Sequence, residues 1–155
     1  MKRNILRGFT MLTLIVAIAF VTAVVSANAQ SRTVVANIPF DFSVGDKALP
    51  SGEYMVKAVT DNGNALAIHN KQSSKSAIRL SNSIQAPKAS EKTKLVFHRY
   101  GPRYFLAEVW VSGERIGRQL LKTKEESTIE SQLAVVFPKS EQGSFAVVEI
   151  VASLR

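Results

Sequence analysis

Between residues 33 and 151, apolar and polar side chains alternate in short runs, and most runs stop at Gly, Pro, Asn or Asp. Period two is the spacing of a strand with one buried face. Turn residues at such intervals fold the chain back on itself. The pattern restricts this chain to an all-β fold built from short antiparallel strands.

Residues 33–42 begin as a Val-rich run and alternate around Pro39, which cannot donate to a ladder and so marks an edge or a bulge. Val44-Gly45-Asp46-Lys47 and Leu49-Pro50-Ser51-Gly52 read as turns. Residues 53–59 form a half-buried strand, Asp61-Asn62-Gly63-Asn64 a hairpin turn, and 65–69 the returning strand. Residues 77–81 alternate again, with Ile84 extending them, before a charged loop at 87–93. The runs 95–100 and 103–111 flank Gly101-Pro102, and a return through 115–121 makes a three-strand meander. Residues 145–151 are apolar enough for the middle of a sheet or for burial on both faces. About eight strands result, as a single small antiparallel β-barrel or a two-sheet β-sandwich; closure is the difference. One short helix is predicted near 124–133, where Ser127-Thr128-Ile129-Glu130 has capping-box spacing, although Ala134-Val135-Val136-Phe137 prefers strand.

The first residues carry an address. Lys2 and Arg3 precede an apolar run from Phe9 to Val25, and Ala27-Asn28-Ala29 has the small-x-small pattern of a cleavage site. Residues 1–29 therefore read as a signal peptide, with the mature chain starting at Gln30; an uncleaved membrane anchor is the alternative. Residues 30–155 are one β-rich domain. The leader takes three of the 20 basic residues and none of the 12 acids, leaving 17 against 12, a net charge of +5. The chain has no cysteine, so disulfides and thiol chemistry are excluded and stability must come from an apolar core. The expected location is periplasmic or extracellular. Export argues against nucleic acid as a partner for the basic patch of Lys88, Lys92, Lys94, Arg99 and Arg103 and leaves an anionic envelope polymer or polysaccharide as the candidate; with so modest a charge, an ordinary solvated surface is the simpler reading. Strands this short disfavour an outer-membrane barrel.

Catalytic motifs are missing: the chain has no H-E-x-x-H, G-x-S-x-G, phosphate loop or dinucleotide fingerprint. Its two histidines, His69 and His98, would meet only on adjacent strands, where Glu108 would complete a metal site. The simpler expectation is a strand-end His69 and a packing His98, with no metal and no cofactor. Glu108 and Glu149 are the strand-interior carboxylates, and an inward Glu108 would pair with Arg99, Arg103 or Arg115. In the 95–111 hairpin, a two-residue loop sets Tyr100 opposite Arg103, Arg99 opposite Tyr104, His98 opposite Phe105 and Phe97 opposite Leu106. Strict alternation then puts Trp110 with Phe97 and Leu106, and Val109 with His98 and Phe105. Arg99, Tyr100, Arg103 and Tyr104 at the tip are either cation–π-stitched surface or a ligand rim. The functional expectation is a non-enzymatic binding or envelope-associated module. Its alternatives are a lipocalin-like carrier of an apolar ligand and a hydrolase with acids at the barrel mouth.

Two stretches carry a resemblance. Phe42-x-Val44-Gly45-x-x-x-Leu49-Pro50-x-Gly52-x-Tyr54 is one; Leu95-Val96-Phe97-His98-Arg99-Tyr100-Gly101-x-x-Tyr104-Phe105-Leu106-x-Glu108-Val109-Trp110 is the other. Together they resemble a family of uncharacterised, signal-bearing small proteins of environmental bacteria, over most of residues 38–120. The resemblance implies a small secreted β-rich domain and carries over no catalytic residue. The chain departs from the family after Leu121, where a more charged helical segment is usual and Leu133 to Phe137 is apolar.

Overall fold

Alternation becomes eleven strand segments and one helix in the computed structural model, which describes residues 32–60, 62–136 and 145–155. The leader, its cleavage residues Ala27, Ala29 and Gln30, and the loop at 138–144 lie outside the described residues. The strands are β1 (Thr33–Ile38), β2 (Phe42–Val44), β3 (Lys47–Leu49), β4 (Gly52–Ala58), β5 (Ala65–Asn70), β6 (Ser76–Gln85), β7 (Lys94–Tyr100), β8 (Arg103–Trp110), β9 (Ile116–Leu120), β10 (Ala146–Val151) and β11 (Ser153–Leu154). The helix is α1 (Lys124–Val136). The all-β expectation with one helix holds. The strand count exceeds eight because β2, β3 and β11 are only two or three residues long.

Hydrogen-bonded order runs β10-β7-β8-β9-β6-β5-β4-β1-β11, with the β2–β3 hairpin beside β8. Every pairing along this path is antiparallel. β6 acts as a corner. Its residues 76–80 pair with β5 and its residues 81–85 with β9. β10 and β11 are separated by Ala152 alone, so both ends of the path belong to one segment. That segment pairs with β7 through Val151↔Lys94 and with β1 through Leu154↔Val34.

Inward side chains of both strand groups make one core. Phe42, Tyr54, Val56, Ile68, Leu95 and Phe97 are at most 2% exposed. Phe42 packs edge-on against Tyr54 at 5.0 Å and against Phe97 at 5.4 Å between ring centroids. Burying a side chain of this size stabilises by about 1.5–3 kcal/mol, so a core of such residues replaces the missing disulfides. Tyr54 keeps its hydroxyl satisfied by donating to the Pro50 carbonyl at 2.7 Å, and burial raises its pKa.

The β7–β8 register has all four expected tip pairs: Tyr100↔Arg103, Arg99↔Tyr104, His98↔Phe105 and Phe97↔Leu106. It then slips by one residue between Val96 and Phe97, where Val96 pairs with Glu108. An extra residue in one strand exchanges the faces of everything beyond it. Val109 therefore joins the core with Phe97 and Leu106, and Trp110 goes to the outer face, the reverse of strict alternation.

Two further expectations are corrected. β10 is not central: it ends the path, and its outward Val147 and Val151 are 58% and 65% exposed. The helix extends to Val136 and starts from a different cap. Thr123, not Ser127, accepts the Glu126 backbone N–H on its Oγ1 at 3.0 Å. Thr123-Lys124-Glu125-Glu126 has the same capping spacing, and Glu125 and Glu126 in the first turn complement the helix dipole.

Candidate binding site on the outer face of the sheet

The outer face of β7 and β8 divides into two halves. Nearer the hairpin tip lie His98, Tyr100, Phe105 and Ala107, all buried. Thr123 caps α1 so that its first turn delivers the Glu126 side chain to this half, only 4% exposed. His98 Nδ1 lies 3.1 Å from Glu126 Oε1, and the Tyr100 hydroxyl donates to the same oxygen at 3.3 Å. Phe145 covers His98 at 4.0 Å and Tyr100 at 5.4 Å between centroids. Burial, and secondarily the negative charge of Glu126, raises the Tyr100 pKa, so its phenol stays a donor. Arg103 pairs with Glu125, and Lys122 with Glu130 at 2.7 Å while lying over the Phe145 ring. Buried polar groups that satisfy one another in this way fasten the start of α1 to the sheet. A pocket of about 180 Å³ remains beside the clasp, lined by His98, Ala107, Gln119, Lys122 and Glu126 among others.

The other half is open. Lys94 stands between Val151 on β10 and Trp110 on β8. Trp110 lies against Gly117 of β9, where a Cβ would come within 2.7 Å of the indole ring, so only glycine leaves the room. The Trp110 Nε1–H donates to Glu108 Oε2 at 2.7 Å, fixing the ring's orientation. The loop between β6 and β7 is tied to the β8–β9 turn. Ala86 N–H donates to the Arg115 carbonyl, Ser90 N–H to the Glu114 carbonyl and Gly113 N–H to the Ser90 carbonyl, all at 2.8–2.9 Å. Between this loop and the sheet lies an open groove of about 480 Å³, lined by Lys88, Glu91, Lys92, Lys94, Trp110 and Glu149 among others. Lys94 bonds Glu149 at 2.6 Å. Among the described residues neither Lys88 nor Lys92 is in an ion pair.

Of the five basic residues grouped by sequence, the structure collects Lys88, Lys92 and Lys94 here and leaves Arg99 and Arg103 at the hairpin tip. The four tip residues do not converge. Arg99 lies 5.5 Å over Tyr104, which stacks on Phe40 at 3.9 Å on the core side of the hairpin. Tyr100 is 3% exposed on the helix side, and Arg103 lies over Phe105. His69 is exposed on β5, and β6, β9 and β8 separate β5 from β7 in the sheet, so the two histidines do not meet. Glu108 bonds Trp110 rather than an arginine. Sequence reasoning missed Glu126 as the partner of His98; the Thr123–Glu126 capping spacing was the available signal. It also missed Gly117, whose lack of a side chain makes sense only once Trp110 is known to face outward. Comparison of the chain with protein-family models, with curated proteins and with solved structures finds no match.

Proposed function

We propose that the chain is an exported, non-enzymatic β-domain that binds an anionic envelope polymer, such as an acidic polysaccharide, in the groove beside Trp110. One observation carries this reading. Three lysines line a groove whose walls are already tied together, against the two carboxylates Glu91 and Glu149, and Lys88 and Lys92 are in no ion pair among the described residues. A pre-formed, cation-lined cleft attracts anions without an ordering cost. Export rests on the leader sequence, and the net charge of +5 after its removal has the matching sign.

The carboxylates offered to a hydrolase are already engaged, Glu108 by Trp110 and Glu149 by Lys94. A carrier would hold its ligand where Phe42, Tyr54 and Phe97 pack against one another. Trp110 is the only tryptophan of the chain, so its fluorescence reports on the groove alone. Titration of the domain with polygalacturonate should give a saturable fluorescence change that weakens with salt and is lost in Lys88→Ala/Lys92→Ala. No change with any acidic polymer would overturn the reading.

A further inference from the structure

The groove is not the end of the polar surface on this face. Two residues along β8 from Trp110, on the same side, stands Glu108, and its cross-strand neighbour is Gln119 of β9. Gln119 also lines the small pocket beside the helix clasp. Groove and pocket are thus joined by a Glu–Gln pair. From Lys94 to His98 along β7 this track spans about 13 Å at strand rise. That is longer than a single sugar ring.

The chemistry changes along the track. Its groove end has a cationic excess, with Lys88, Lys92 and Lys94 against Glu91 and Glu149. Its middle carries a carboxylate, half-buried and held by the indole N–H, beside an exposed amide. A carboxylate only accepts hydrogen bonds, whereas an amide both donates and accepts. A hydroxyl satisfies both, while a second anion there would face the Glu108 carboxylate.

We infer that the site extends from the groove across Glu108 and Gln119, and that it selects polysaccharides in which acidic units alternate with neutral, hydroxyl-bearing units. This rests on the groove being the binding site. Glu108 is the specificity-determining residue: it admits hydroxyls and rejects a charge next to the one the lysines hold. Each rejected charge or lost charge-assisted hydrogen bond is worth about a tenfold change in affinity.

The test compares two polymers by Trp110 fluorescence at equal ionic strength. Polygalacturonate carries a carboxylate on every unit; hyaluronan alternates an acidic with a neutral unit. Hyaluronan should bind about tenfold more tightly per repeat. Glu108→Gln keeps an acceptor for the indole N–H and should shrink that preference by strengthening polygalacturonate binding. Gln119→Ala should weaken hyaluronan binding more than polygalacturonate binding. Equal affinities for both polymers, or a preference that neither substitution moves, would overturn the inference while leaving the groove as the site. Absence of any fluorescence change with either polymer would overturn the groove itself.

Discussion

The covered and open halves of the outer β7–β8 face share two strands and differ in what closes them. In the covered half, a helix cap brings a carboxylate onto a histidine and a tyrosine, and Phe145 shields the three. In the open half, an indole lies on a glycine beneath a tied loop, and lysines surround a groove. The difference teaches that polar residues on one sheet face divide by partner. Where every donor and acceptor finds a neighbour inside the chain, the cluster serves stability. Where lysines are left outside any ion pair, the cluster is the one proposed here to bind a ligand. Substitutions in the two halves should therefore separate stability from binding.

Glu126→Ala should have the largest effect. It leaves the buried Tyr100 hydroxyl and His98 without their acceptor and frees the first turn of α1. The expected loss is about 2–4 kcal/mol in denaturant unfolding. A loss below 0.5 kcal/mol would mean that the clasp holds nothing. Gly117→Ala tests the open half's one tight contact. A methyl group 2.7 Å from the indole must push the ring outward, at about 1–3 kcal/mol and with a shifted Trp emission maximum. An unchanged spectrum would contradict the packing of Trp110 on Gly117.

Tyr100→Phe is milder near neutrality, at about 1 kcal/mol, because one neutral donor is lost. Its signature lies at alkaline pH. The Tyr100 pKa is raised in the fold above its ordinary 10.0, so the native state holds this proton more tightly than the unfolded chain. The resulting stability is fully present below pH 10 and is lost as pH rises through the native value. The variant should therefore lose less stability above pH 10 than the parent, measured by denaturant midpoints across that range. Lys88→Ala/Lys92→Ala should be the quietest, within about 0.5 kcal/mol of the parent in stability, since exposed lysines without partners stabilise little.

Much of this architecture was legible in the sequence. Period-two alternation and turn residues located β4, β5, β7, β8 and β9, and the Gly101-Pro102 loop set the hairpin register through Phe97↔Leu106. What alternation cannot carry is a slip. The irregularity beside Val96 leaves no mark in the residue pattern, yet it exchanges Val109 and Trp110 between core and surface. The groove was half legible for this reason. Its lysines stand together in the sequence, but a tryptophan put on the face of Phe97 and Leu106 could not be placed beside them. The apolar β10 misled in the opposite sense. Composition says that a strand prefers burial, but position at the end of the path decides how much of it is covered. The Thr123–Glu126 capping spacing marks where the helix starts, but the contact between His98 and Glu126 depends on where that helix lands, which is a tertiary matter.

The most direct measurement is a map of backbone and indole NMR shifts as hyaluronan is added to the domain. Shifts should concentrate on Lys88, Lys92, Lys94, Glu108, Gln119 and the Trp110 indole N–H, with Tyr100 and Phe145 of the clasp nearly still. Shifts centred on the helix clasp or on the core rings Phe42, Tyr54 and Phe97, with the groove unmoved, would contradict the assignment of binding to the open half.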